Sequence, residues 1–371
     1  MQRRNKHILI ITHYFHPHIG GIELVAYNEA KALHRGGNSI TIVSSKTGKE
    51  KSREVYQGIT IRRIRVWNIL ETFFDIPFPI FPLTLFFLLK TEVKKSDHVI
   101  VHGILYEGSL FASLLAKRYK KSCSVIEHVG FVPYRNPIKN YVEKVAFATI
   151  GKLCLSYVTN IFVLNVKTKN FLSRLTQKNI AIISNGVDTD IFQPVTKTDK
   201  YELRKRNYLP VGKNLVLFVG RSVEKKGLLA LIKAKTSLFD IILVTWGSVP
   251  EKIKKIPGIF IFPPMQQKNL AQLYQLCDIF VLPSKGEGFP LSVQEAMASK
   301  IPVITYKENI PSFDEKNPVC YAIHSSRQGI RNAIEALLTD KKLQESLRSN
   351  AYQMIHTGYS WKQHANSLMR I

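Results

Sequence analysis

Two doubly wound, Rossmann-like α/β domains facing across a cleft are predicted by three features of the sequence: its length, its alternation of element types and a polar break near its middle. At 371 residues the chain is too long for one ordinary core and fits two domains of roughly 150–200 residues each. Short apolar runs rich in Ile and Val alternate with longer segments of helical period, the pattern of parallel sheets wound with helices. A hydrophobic content of 45% with aromatics at 10% lets each half bury a core.

Taken in order, the first domain spans 1–183. Its strands are expected at 7–13, 39–45, 59–66, 97–102, 123–128 and 160–164, with helices near 22–35, 80–95, 108–120, 138–158 and 167–175. Arg3-Arg4-Asn5-Lys6 before the first apolar run imitates a signal peptide, but the run is short and no cleavage site follows, so it reads as a buried strand. Residues 76–89 are the most apolar stretch, yet Pro77, Pro79 and Pro82 interrupt them and they fall short of the roughly 20 residues of a spanning helix. They read either as a membrane-facing segment or as a buried helix behind a Pro-rich loop.

Asn185-Gly186, Pro194, the polar run Thr196-Lys197-Thr198-Asp199 and Pro210-Val211-Gly212 mark 184–212 as a hinge. The second domain, 213–355, repeats the theme. Strands are expected near 214–220, 239–246, 258–262, 278–283, 301–305 and 319–323, and helices near 226–236, 267–276, 291–299, 326–339 and 341–356. Residues 356–371 are expected as a C-terminal helix returning to the first domain.

The formal charge of +26 at a pI near 9.9 calls for anionic partners, and the excess is shared between the halves. Basic groups such as Arg62-Arg63-Ile64-Arg65 and Lys117-Arg118-Tyr119-Lys120-Lys121 together favour peripheral contact with an anionic membrane. No nucleic-acid signature accompanies them, which argues against a nucleic-acid partner. Cys123, Cys154, Cys277 and Cys320 are scattered, which points to a reduced compartment and a cytoplasmic protein.

Chemistry concentrates at three strand-to-helix turns. After the first strand, His16-Pro17-His18-Ile19-Gly20-Gly21 precedes a helix; paired glycines there either present amide hydrogens to an anion or make a tight turn. This is not the GxGxxG fingerprint of nicotinamide enzymes. In the second half a strand ends in Gly220-Arg221, with Lys226 five residues on; the two converge on a diphosphate or stand as exposed cations. Pro283-Ser284-Lys285-Gly286-Glu287-Gly288-Phe289-Pro290-Leu291 follows a later strand and leads into a helix bearing Glu295. Its two carboxylates act as helix-dipole partners or as acceptors for sugar and ribose hydroxyls.

As a set, these residues resemble glycosyltransferase family four, retaining enzymes of the GT-B fold. The matches are HPHIGG with Glu23, SNGVDTDIF at 184–192, FVGRSVEKKG at 218–227 and LAQLYQLCDIFVLPSKGEGFPLSVQEAMASKIPVIT at 270–305. The last contains the family's E-x7-E motif as Glu287 and Glu295. The resemblance implies that Arg221 and Lys226 neutralise the departing diphosphate, that Glu295 holds the ribose, and that Glu287 and His128 face the transferred sugar. Gly288, Phe289 and Leu291 would offer backbone amides, and Gly20 and Gly21 would approach the same phosphates. It further implies retention, no cofactor and no metal, with a nucleotide-sugar donor. The Pro-rich apolar stretch at 69–89 and the basic helices of the first domain suit a membrane surface and a glycan or lipid-linked acceptor bound by that domain.

Three departures are visible. Pro290 stands where glycine is common and offers no amide, Lys307-Glu308-Asn309-Ile310-Pro311 replaces a glycine-rich turn, and Trp246-Gly247-Ser248 is less glycine-rich than usual. Asp188-Thr189-Asp190 has the form of a metal-binding DxD but falls in the hinge segment. A nucleotide-sugar epimerase or hydrolase is the rival enzyme reading; nucleic-acid binding is the rival outside enzymes.

Overall fold

Parallel pairing accounts for nearly all the apolar runs. In a computed structural model, described here for all residues except 1–4, 19, 70–77, 132, 134–135, 247–248, 285–286, 288, 312–313, 324–326 and 371, the chain forms two units. One is Met1–Ser184 together with Trp361–Ile371, and the other is Asn185–Ser360.

Among the described residues the first unit is built on eight strands: β1 (His7–Ile11), β2 (Ser39–Lys46), β3 (Arg53–Tyr56), β4 (Ile59–Arg65), β5 (His98–His102), β6 (Ser122–Glu127), β7 (Asn160–Val163) and β8 (Ile180–Ile182). Their order is β3-β4-β2-β1-β5-β6-β7-β8. Every pairing is parallel except that of β3 with β4. Burial on both faces explains the unbroken apolar runs. In β1, Leu9 and Ile11 enter a core shared with Leu85, Leu89, Leu115 and Leu155. Ile8 and Ile10, pointing the other way, join Ala26, Ala30, Leu33, Ala365 and Leu368. The C-terminal helix Trp361–Met369 is therefore part of this unit's second core.

Two strands escape the sequence pattern for physical reasons. The edge strand β3, Arg-Glu-Val-Tyr, is largely exposed, and β8 has only three residues. The helix expected from residue 80 starts at Thr84, because Pro82 has no amide to give a helix interior. The helix expected over 138–158 carries a π-helical turn at Phe147–Gly151 between Pro137–Ala146 and Lys152–Tyr157. Of the apolar stretch 76–89, residues 76–77 lie outside the described residues. Beyond them Leu85 and Leu89 are core, while Leu83 and Phe87 are 79% and 65% exposed.

The second unit holds β9 (Asn214–Val219), β10 (Phe239–Val244), β11 (Ile259–Phe262), β12 (Ile279–Leu282), β13 (Val303–Thr305) and β14 (Tyr321–Ala322). Their order is β11-β10-β9-β12-β13-β14, all parallel. Within the segment 184–212, residues Lys197–Arg206 form a helix capped by Thr196, whose hydroxyl accepts from the Asp199 amide at 3.1 Å. Asp278 fastens this polar helix to the sheet: Lys200 Nζ and Arg204 Nη2 each lie 2.7 Å from its carboxylate, which also accepts from the Leu215 amide at 2.7 Å. Asp188 of the DxD triplet accepts the Asp190 amide at 3.2 Å, a local turn contact.

In each unit the strand order reverses once, between β1 and β5 and between β9 and β12. Loops leaving neighbouring strands in opposite directions open a crevice at such a point, where ligands of open parallel sheets sit.

Candidate functional site

The switch point of the second unit assembles most of the residues singled out from the sequence. Because β9 and β12 pair directly, the turns that follow them are neighbours. The turn after β9 runs through the 3₁₀ segment Glu224–Lys226 into Gly227, at φ 73°. A Cβ on Gly227 would stand 2.2 Å from the Pro283 carbonyl oxygen, on the segment leaving β12. Glycine at this position lets the two turns touch.

That approach brings Lys226 Nζ to 2.9 Å from Glu287 Oε1, with the side chains 19% and 14% exposed. Burial alone would raise the Glu287 pKa, but Lys226 and Lys225, a hydrogen bond from Lys226 and the Arg221 charge outweigh it, so the carboxyl lies below its ordinary value. Glu287 is thus an ionised acceptor in a field of three cations. A phosphate entering here competes with Glu287 for the Lys226 ammonium, and Arg221 adds a planar donor fork.

Phe289 and Leu291 lie on the same loop and helix start; Gly288 lies outside the described residues. The Phe289 side chain is core, 1% exposed and edge-on to Tyr359 at 5.1 Å, and its carbonyl accepts from Gln294 Nε2 at 3.1 Å. Leu291 opens the helix Leu291–Ala298, so its amide has no partner within that helix. Glu295, one turn on, is 4% exposed. Burial pushes its pKa up to about 7, against a smaller lowering by the Tyr274 hydroxyl, which lies 2.9 Å from Glu295 Oε2 and 3.1 Å from the Ser292 carbonyl oxygen. The two glutamates of the motif therefore differ in charge state: one held ionised by cations, the other poised near neutrality by burial.

In the first unit Gly20 caps the helix Gly21–Arg35. A Cβ on Gly20 would fall 2.1 Å from Glu23 Oε2, so the missing side chain makes room for a carboxylate folded back onto the helix start. Glu23 also pairs with His18 Nδ1 at 3.0 Å. Its pKa is lowered although burial opposes this, chiefly by the His18 hydrogen bond and the nearby His13. The helix start thus already holds an internal anion. At the β1/β5 switch point, His13 stacks on Tyr106 at 3.9 Å beside a cavity of about 10 Å³, room for a single water.

His128, just past β6, ends a buried chain of ionisable groups. His364 Nδ1 donates to the Ser184 carbonyl at 2.7 Å, and its Nε2 is 2.9 Å from Glu29 Oε2. A carbonyl only accepts, so Nδ1 carries a proton toward Ser184 while Nε2 faces the Glu29 carboxylate. Glu29 Oε1 faces His102 Nε2 at 3.5 Å, and His102 Nδ1 is 2.9 Å from His128 Nε2. Burial would raise the Glu29 pKa, but His102 and His364 hold it at about 2. Burial and the neighbouring His102 push His128 well below its ordinary value, leaving it a neutral imidazole.

Several groups shaping these sites carry no sequence signal of their own. Tyr274 has the helical spacing of a core residue, and Glu29 and His364 are 335 positions apart. Asn309 donates to the Ser284 carbonyl and to Thr305 Oγ1 at 3.0 Å, pinning the start of the Glu287 loop from a turn that reads as an atypical loop. Among the described residues no group of three or more His, Cys, Asp or Glu side chains is placed to hold a metal ion.

Two open parallel sheets, each with polar side chains gathered at its switch point, are the architecture of the GT-B glycosyltransferases. Known proteins agree. The family model "Glycosyltransferase Family 4" matches residues 19–191, and "Glycosyl transferases group 1" matches residues 199–354. The chain belongs to the family four type of glycosyltransferase. It is 26% identical over 291 residues, 74% of this chain and 77% of its relative, to the N,N'-diacetylbacillosaminyl-diphospho-undecaprenol alpha-1,3-N-acetylgalactosaminyltransferase of Campylobacter jejuni. It is 22% identical over 315 residues, 80% and 78% of the two chains, to the GDP-mannose-dependent alpha-mannosyltransferase of Mycolicibacterium smegmatis. Among solved structures, Anabaena HepE in complex with UDP-glucose superposes with a TM-score of 0.78 at 16% identity, covering 98% of this chain and 99% of that one. Sucrose-phosphate synthase from Thermosynechococcus elongatus gives 0.77 at 17% identity, covering 99% and 98%. The chain is a glycosyltransferase that uses nucleotide-sugar donors.

Proposed function

We propose that this enzyme moves a hexose-type sugar from a nucleotide diphosphate sugar to a lipid-linked or cell-surface glycan precursor, with retention at the sugar carbon and without a divalent metal. The observation that carries the reading is the Lys226–Glu287 pair under the Arg221 charge at the β9/β12 switch point. In the reaction the bond from the sugar's anomeric carbon to the diphosphate oxygen breaks, and a bond to the acceptor oxygen forms on the same face. The acceptor's proton leaves with the diphosphate. Arg221 and Lys226 stabilise charge growing on that leaving group, the term that dominates such transfers. Glu287, released from Lys226 by the phosphates, accepts hydrogen bonds from the sugar, and Glu295 accepts from the ribose. The amides of Gly288, Phe289 and Leu291 complete the donor site, and neutral His128 faces the transferred sugar; Gly20 and Gly21 approach the phosphates once the Glu23 carboxylate leaves the helix start.

A lipid-linked acceptor is favoured by the likeness to the Campylobacter jejuni enzyme, whose name specifies a diphospho-undecaprenol acceptor. The chain's excess of +26 suits peripheral work on the anionic cytoplasmic face of a membrane. The test is a panel of UDP- and GDP-sugars assayed for nucleoside diphosphate release, with and without lipid extract and with and without EDTA. One donor should respond, release should depend on the extract, and EDTA should leave the rate largely intact. Release at the same rate without acceptor would make the enzyme a hydrolase. Loss in EDTA restored by magnesium or manganese would reject the metal-free reading.

A further inference from the structure

The helix Pro137–Ala146 contains no buried residue, and its amphipathic sides are reversed relative to an ordinary surface helix. Ile138, Tyr141, Val142 and Val145 recur at i, i+3, i+4 and i+7, which is one face, and they are 71%, 70%, 60% and 42% exposed. The opposite side carries Asn140 and Glu143 at half-buried positions, continuing into buried Phe147, Gly151 and Cys154. Past the π-helical turn the outward stripe continues with Leu153, 44% exposed. From Ile138 to Leu153 it extends about 23 Å at 1.5 Å per residue.

We propose that this stripe is a docking surface for an anionic lipid bilayer, the helix lying in the plane of the interface with its aliphatic side chains below the headgroups. Charge selects this occupant. Lys139, Lys144 and Lys152 belong to the same stretch, and its sole acid, Glu143, sits on the inward side. Lysine beside an apolar stripe with an amphipathic tyrosine is the composition of an interfacial helix. A second copy of the chain is a poor occupant, because it would bring another +26 and set the same lysines against one another. None of these residues is among those assigned to the donor site, and the inference stands whether or not the proposed acceptor is correct.

The test uses the full chain and vesicles of phosphatidylglycerol mixed with phosphatidylcholine, against phosphatidylcholine alone, with no donor present. Wild-type protein should partition to the anionic vesicles and largely leave them at high salt. Ile138→Ser with Val142→Ser should lower partitioning about tenfold or more by removing two buried aliphatic contacts. The four native cysteines are buried, so Val142→Cys accepts an environment-sensitive fluorophore selectively. Its emission should shift blue on anionic vesicles, while the same label at Tyr208→Cys, 95% exposed in the other unit, should not. Equal partitioning of the double variant and wild type, equal binding to the two vesicle types, or a silent label at 142 on bound protein would each overturn the proposal. So would a dimer that the double variant abolishes while neither protein binds vesicles. If the double variant fails to fold, the labelled Val142→Cys protein still decides.

Discussion

Replacing Glu295 with glutamine removes a carboxyl that the fold keeps close to its protonated form. The Tyr274 hydroxyl has one proton and two acceptors within reach, the Ser292 carbonyl oxygen and Glu295 Oε2. Protonated Glu295 resolves the conflict by donating to the tyrosine oxygen while the tyrosine donates to Ser292, and a glutamine amide can do the same. The Glu295 pKa is about 7 against an ordinary 4.5, so the native state binds more protons than the unfolded state between those values. Stability contributed by this site is therefore full below pH 4.5, falls as pH rises toward 7, and is level above. At 1.36 kcal/mol per pKa unit the loss reaches about 3 kcal/mol. Glutamine does not titrate, so the stability of Glu295→Gln relative to wild type should climb by up to about 3 kcal/mol across that window. Urea unfolding of both proteins at a series of pH values reads this difference directly. Glu127, also raised to about 7, is common to both proteins and cancels. The same variant should raise the donor KM more than it lowers kcat, since ribose contacts act in ground and transition states alike. Unfolding curves that run parallel from pH 4.5 to 8 would refute the reasoning.

Lys226→Ala or Arg221→Ala should cut turnover on the order of a hundredfold through lost leaving-group stabilisation; near-normal turnover in both would sink the diphosphate assignment. Gly227→Ala sets a side chain at φ 73° and 2.2 Å from the Pro283 oxygen, and should cost roughly 2 kcal/mol or more, read as a fall in Tm; an unchanged Tm would show that the two turns do not press together. His364→Ala leaves the Glu29 carboxylate buried without the ring that faces it at 2.9 Å and should destabilise the protein by about 3–5 kcal/mol at neutral pH. Because the folded Glu29 pKa is depressed to about 2, its contribution is present above 4.5 and lost as pH falls, so the gap between variant and wild type in urea unfolding should narrow in acid.

Elements with a strong period or a buried run were legible in the sequence: β1, β2, β9 and the helix Gln267–Leu276 fall where the apolar pattern puts them. The pattern failed where burial did not govern. The edge strand β3 is too polar to alternate, and the helix Lys197–Arg206 is held by charge pairs to Asp278 rather than by an apolar face, so it read as linker. Lys226 and Glu287 were nominated separately, each from a strand-to-helix turn. Their contact depends on β9 lying beside β12, and strand order is a property of the sheet that local sequence does not carry. The opposite charge states of Glu287 and Glu295 were likewise invisible, because both are glutamates and only their surroundings differ.

The helix Trp361–Met369 bears on how the chain is made. The second unit, Asn185–Ser360, is one continuous segment, whereas the first needs Ala365 and Leu368 to close the core around Ile8 and Ile10. Domains usually mature in the order in which they leave the ribosome. Here that order is inverted at the last step: the amino-terminal unit emerges first but stays open on one side until the whole of the other has been synthesised. An amino-terminal fragment ending at Ser184 is accordingly an unfinished object, with an apolar face bare to solvent. A genetically linked copy of residues 361–369 is the piece that would complete it.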